Sequence, residues 1–174
     1  LREKYYKLRV VNVFMALTVE SRMEEVEYRG YVFVNRALSS IQKGVQGAHA
    51  LVELTKTYNT ESNDAASTLH EWRESHKTLV FVDCGFHQEM LEYYLTAAAY
   101  CEKLELPHAL FIEDDWTMNS MATAFAIIVP STIYDIDIAE FDMGKKYYLN
   151  GAVVGDDPDD VALCRFLKSF RLAV

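Results

Sequence analysis

Apolar residues along this chain occur in two patterns. In the first they stand side by side, in YVFV at 31–34, TLVFV at 78–82, ALFI at 109–112 and AFAIIV at 124–129. Short apolar runs without alternation predict strands covered on both faces. In the second pattern they recur every three or four residues. Val45, Ala48, Val52 and Thr55 form one helical stripe, and Leu91, Tyr94, Leu95, Ala98 and Cys101 form another. Ser39 and Ser40 stand where an N-cap belongs ahead of the first stripe, and Pro107 ends the second helix. TYNTESND at 57–64 breaks the periodicity, after which AASTLHEWRES reads as a short further helix.

Strand and helix therefore alternate, which predicts the α/β class. The expected form is a three-layer α/β/α sandwich around a mixed, mostly parallel sheet of about four strands, with additions at both ends. In such sheets ligands meet the C-terminal ends of the strands, so the loops after NRAL (35–38) and LFIE (110–113) should open onto one crevice. Ahead of this core, Tyr6, Val10, Val13, Phe14 and Leu17 fit one helical face within an N-terminal extension, residues 1–29. Beyond it, IYDIDIAEFD at 133–142 alternates apolar and acidic positions like an edge strand, and KKYYLNGAVVG at 145–155 suggests a strand or hairpin. A last helix is signalled by Asp157 as N-cap, Pro158 at its first position, Asp159 and Asp160 near its positive end, and Lys168 and Arg171 near its negative end.

Composition narrows the class further. With 174 residues, 51% apolar and 25% charged, the chain suits one domain with a real core. Cys84, Cys101 and Cys164 are odd in number and hold no C-x-x-C pair, which argues against a zinc or redox motif and points to a reducing cytoplasm. The best N-terminal apolar run, VVNVFMAL, is interrupted by Asn12 and too short to span a bilayer, so no membrane association is expected. Net charge is −9, which disfavours nonspecific nucleic-acid binding. The balance is uneven, however: residues 1–56 carry a net +3 and the rest −12, so a polyanion would meet the first third of the chain. Neither G-x-x-x-x-G-K nor G-x-G-x-x-G is present, which removes the commonest nucleotide-binding motifs of α/β chains.

The order of motifs is more specific than the composition. The strand YVFVNRAL, the helix bearing KGVQGAHA, the Glu71-Trp72 pair, the strand KTLVFVD, the helix QEMLEYYLTAAAYCEKLELP and the strand ALFIEDD follow one another over residues 30–130. This order resembles the type 2 peptidyl-tRNA hydrolases, the archaeal and eukaryotic kind, with Gln46-Gly47-Ala48-His49-Ala50 as its most specific piece. The resemblance implies hydrolysis of the ester between a peptidyl or acyl group and tRNA, without a cofactor. It places Gln46 and His49 on the family's helix Gln and His, and Asp114 on its catalytic Asp.

That reaction needs a positioned water, a base for it, and donors for the developing oxyanion. The resemblance assigns Asp114 to the water, and Lys43 and Gln46 to the anionic end of the substrate and its water. Gln42, Ser40 and His49 are expected to line the substrate, with Thr117 in the place of the family threonine and Trp116 stacking on the terminal base. The bland alternatives are a solvated Asp114, a packed His49 beside the apolar stripe, and a Trp116 that covers the core. Asp135, Asp137, Glu140 and Asp142 read as a wet strand face in preference to a cation site. A Cys84 nucleophile lacks a histidine placed to activate it.

A second reading keeps the fold without catalysis, as a module that binds a protein or small ligand. Here the lysine stands one residue later than in the family, and Asp115-Trp116-Thr117-Met118-Asn119 replaces the family's Gly-Arg/Lys-Thr-Gln. The end segments suit self-association, as in a homodimer, under either reading.

Overall fold

A computed structural model of the protein describes residues 26–59, 62–114, 120–139, 147–149, 152–154 and 158–173. The expected N-terminal helical face, Asp157, Glu140, Asp142, Trp116 and Thr117 lie outside the described residues. The elements run β1 (Tyr28–Val34), α1 (Ser40–Tyr58), α2 (Asp64–Glu71), a π-helical turn (Trp72–His76), β2 (Thr78–Asp83), α3 (His87–Lys103), β3 (His108–Ile112) and β4 (Ala122–Pro130). There follow α4 (Ser131–Tyr134), the strand pair β5 (Tyr147–Leu149) and β6 (Ala152–Val154), α5 (Pro158–Lys168) and β7 (Arg171–Leu172).

All four apolar runs became strands of one mixed five-stranded sheet, in the order β3-β4-β1-β2-β7. The sheet differs from the sequence expectation in two ways. The sheet has five strands, because Arg171 and Leu172 pair with Asp83 and Val82 in a strand too short to carry a pattern of its own. It is also mostly antiparallel: β1–β2 is the parallel pair, while β1–β4, β3–β4 and β2–β7 are antiparallel. The physical reason lies in the connections, since the short link between β3 and β4 has no room for a parallel crossover. Because β1 and β3 both run against β4, and β2 runs with β1, the C-terminal ends of β1, β2 and β3 share one edge of the sheet.

Alternate side chains of the central strands enter different apolar clusters. Phe33, Phe125, Ile127 and Val129 pack with Met90, Ala97 and Cys101 of α3 and with Leu163 and Leu167 of α5. Val32, Val34, Ala124 and Ala126 pack with Ala50 of α1, and Ile128 with Leu54 of α1, Leu69 and Trp72. Such two-sided burial is why these strands read as unbroken apolar runs.

Two further elements differ from the sequence expectation. Residues 131–134 form a helical turn after Pro130, with the Asp135 N–H bonded to the Ser131 carbonyl (3.1 Å), where an edge strand was expected from Ile133 onward. The α1 stripe is also rotated away from the sheet: Val45, Ala48 and Val52 are exposed, and Gln46, Gly47, Ala50 and Leu54 are buried instead. The strand or hairpin expected over 145–155 is represented by the antiparallel strand pair β5–β6. No helix among the described residues is long and apolar enough to cross a membrane.

Candidate functional site

Where β1 ends, Asn35 turns the chain into α1. The residue is almost completely buried and fully satisfied: its N–H donates to the Thr123 carbonyl (3.0 Å), its amide donates to the Ala122 carbonyl (3.2 Å), and its side-chain oxygen accepts from Ala37 N–H (2.9 Å). This is an Asx-type turn, the local chemistry that ends a strand sharply. Ser39 then caps α1, and Gln42 completes a capping box by accepting the Ser39 N–H at 3.0 Å. Gln42 is thus occupied in starting the helix, and Ser40 is its exposed first residue.

The next turn carries the polar contacts that face the sheet. Lys43 Nζ lies 2.7 Å from Asp83 Oδ1 at the end of β2, with the two side chains only 12% and 24% exposed. One turn on, Gln46 is buried and held at both ends of its amide. Its nitrogen donates to Glu113 Oε1 (2.5 Å), and its oxygen accepts from the Thr123 hydroxyl (2.9 Å). Thr123 is itself completely buried. A buried polar group is tolerable because each atom has a partner, and the same pairing locks the helix in register with β3 and β4. Glu113 follows β3, its N–H bonded to the Met121 carbonyl (3.0 Å), and Asp114 is the exposed residue after it.

The sequence reading placed Lys43, Gln46 and Asp114 in one crevice. In the structure Lys43 and Gln46 share the sheet edge at which β3 ends, but their carboxylate partners are Asp83 and Glu113. Neither was picked out from sequence, although each is the polar residue closing an apolar run, which is the signal that marks a sheet's C-terminal edge. Asn35 and Thr123 were missed in the same way; Thr123 borders the run AFAIIV.

His49 packs its ring edge-to-face on Phe111 with centroids 4.7 Å apart, and its Nδ1 has no hydrogen-bond partner among the described residues. It braces α1 on β3. His87 accepts the Ala122 N–H at Nδ1 (3.0 Å), which ties the start of β4 to α3. Burial, with the Glu89 carboxylate adding to it, pushes the Cys84 thiol up from its usual value, so it remains protonated and is a poor nucleophile. All three cysteines are free and buried. Among the described residues no His, Cys, Asp and Glu side chains cluster in a set that would hold a metal ion.

Beside the Lys43–Asp83 pair opens a cleft of about 570 Å³, bounded by Arg36, Asp83–Gly85, Glu89, Tyr93 and Ser169–Arg171. Gly85, at φ +74°, makes the left-handed turn from β2 to α3, where an added Cβ would strike the Glu89 carboxylate at 2.5 Å. The site therefore combines a held ammonium, carboxylates at two strand ends and an open cleft at one sheet edge. No protein-family model matches the sequence, and no curated protein does.

Proposed function

We propose that the chain is an ester hydrolase of the peptidyl-tRNA hydrolase kind, cleaving a peptidyl or acyl group from the 3′ end of tRNA. The observation that carries this reading is the Lys43 ammonium fixed at the shared strand edge by Asp83, 2.7 Å away. A cation held there needs no reorganisation when negative charge develops on the ester carbonyl, which is the requirement for oxyanion stabilisation. Asp114 takes the role of orienting or deprotonating water, Lys43 binds the anionic end, and Gln46 fixes Glu113 while keeping one amide N–H for a ligand. Asp83 is a positioning residue for Lys43. Under this reading the sheet is the middle layer of an α/β/α sandwich, the enzyme works in the cytoplasm without a cofactor, and the basic first third faces the acceptor stem, in a monomer or a homodimer.

The test uses N-blocked aminoacyl-tRNA. Release by wild type should fall about 10²–10⁴-fold in Asp114→Ala, the range of a lost acid–base group. It should fall about 10²–10³-fold in Lys43→Ala, the range of a lost oxyanion donor. Equal release by wild type and Asp114→Ala removes the mechanism.

The same contacts favour a second reading, a binding module without catalysis, because Lys43 and Gln46 both already have protein partners. The net charge of −9 weighs the same way. Titration with tRNA over a salt series separates the two, since a protein that grips phosphates loses affinity steeply as salt rises. Absence of salt-sensitive binding favours the module.

A further inference from the structure

The cleft beside Asp83 has walls of two kinds. Arg36, just past β1, and Arg171, on β7, are its basic lining residues, and Tyr93 and Phe170 its aromatic ones. In a chain of net charge −9, Arg36 and Arg171 make no side-chain hydrogen bond or ion pair among the described residues. The carboxylates of the same cleft are engaged. Asp83 is neutralised by Lys43, and Glu89 accepts the Phe86 N–H at the start of α3 (2.8 Å). With Asp83 paired to Lys43, the two arginines outweigh the Glu89 carboxylate, so among the described residues the cleft's net charge is positive. Tyr93 and Phe170 meet edge-to-face with centroids 5.1 Å apart, which stiffens that wall while Tyr93 stays exposed.

We propose that this cleft binds a nucleotide, with its phosphate between Arg36 and Arg171 and its base against Tyr93 and Phe170. Guanidinium forks match phosphate oxygens, and aromatic faces accept a base without needing its sequence. The cleft's size lies within the range of about 300–1,000 Å³ usual for small-molecule sites. For the identity of the ligand as the terminal nucleotide of tRNA, the inference rests on the proposed function. Asp83 belongs both to this cleft and to the pair with Lys43, so a nucleotide seated here lies next to the Lys43–Asp83 pair. The site depends on β7, the strand that sequence patterning did not reveal.

The experiment is calorimetric titration of the full chain with adenosine 5′-monophosphate, adenosine and a CCA trinucleotide. The monophosphate binds, adenosine binds about tenfold more weakly, and Arg36→Ala and Arg171→Ala each weaken the monophosphate about tenfold or more, as for loss of a charge-assisted hydrogen bond. Arg171→Lys retains part of the affinity, Tyr93→Ala loses affinity and Tyr93→Phe keeps it. Both arginines are exposed, so circular dichroism of the variants stays that of wild type. The trinucleotide binds more tightly than the monophosphate. No binding of the monophosphate at millimolar concentration, or equal binding by the double arginine variant, overturns the proposal. Nucleotide binding without hydrolysis of acyl-tRNA removes the proposed function and leaves the cleft. Hydrolysis with an unchanged KM in the double arginine variant removes the cleft and leaves the proposed function.

Discussion

Toward the sheet, α1 buries Gln46, Gly47, Ala50 and Leu54; toward solvent it shows Ile41, Val45 and Val52, which are 82%, 47% and 63% exposed. The face with less apolar surface is the one that packs. Burial here is decided by how closely the helix must approach the strands and by whether its polar groups find partners. Gly47 and Ala50 allow the close approach, and Glu113 and Thr123 satisfy Gln46. A helix can bury a glutamine at little net cost when both ends of its amide are bonded.

The strongest test of this contrast is Gly47→Ala. The added Cβ would lie 2.4 Å from Phe81 Cε1 and 2.9 Å from Val32 Cγ1, so the helix or the strands must move apart. Overpacking of this kind costs about 2–3 kcal/mol. Thermal unfolding should show a fall of about 2–4 °C per kcal/mol for a chain of this size. An unchanged midpoint would mean that the tight face is not tight.

Next in size is Asp83→Ala, which leaves the Lys43 ammonium partly buried with its carboxylate gone. The expected loss is about 1–2 kcal/mol, most of it the cost of the stranded charge. A Lys43→Met, Asp83→Ala double variant should therefore be more stable than Asp83→Ala alone. Denaturant midpoints of the four proteins in that cycle give the answer, and a double variant that is simply the sum of the singles would show that the two groups do not interact.

The four core strands were legible because each is a short apolar run, heavily buried in β1 and β4 and half-buried in β2 and β3, and Ser39 announced the start of α1 correctly. What could not be read is non-local. Lys43 finds Asp83 40 residues away and Gln46 finds Glu113 67 residues away, and nothing near either end names the other. The face of α1 was misjudged because Val45, Ala48 and Val52 supply the cleaner stripe, whereas the fit depends on a glycine and a satisfied amide. β7 is two residues long and gains its identity from β2, so no periodicity exists to find. The parallel expectation failed for a similar reason, since strand direction follows from link lengths more than from the strands themselves.

Thr123→Val probes the amide rather than the charge. Valine keeps the shape but removes the hydroxyl that donates to the Gln46 oxygen, at a site with no solvent access. A loss of about 1 kcal/mol is expected, the value of one buried hydrogen bond. If Gln46 also serves the proposed reaction, this variant should lower kcat for acyl-tRNA without changing KM, because the amide loosens while the cleft is untouched.

Gly44→Ala, on the open face one turn before Gly47 in the same helix, reverses the sign. An added Cβ there meets nothing within 4 Å, so it costs no packing. Within a helix, alanine is favoured over glycine by about 0.5–1 kcal/mol, because glycine gives up more backbone freedom on folding. Gly44→Ala should therefore raise the unfolding midpoint modestly while Gly47→Ala lowers it. The pair shares the same chemical change three positions apart, so their difference isolates the sheet's approach to the helix from propensity, which is common to both. A loss of stability in Gly44→Ala would place a neighbour against the face described here as open, and the two faces of α1 would no longer differ as argued.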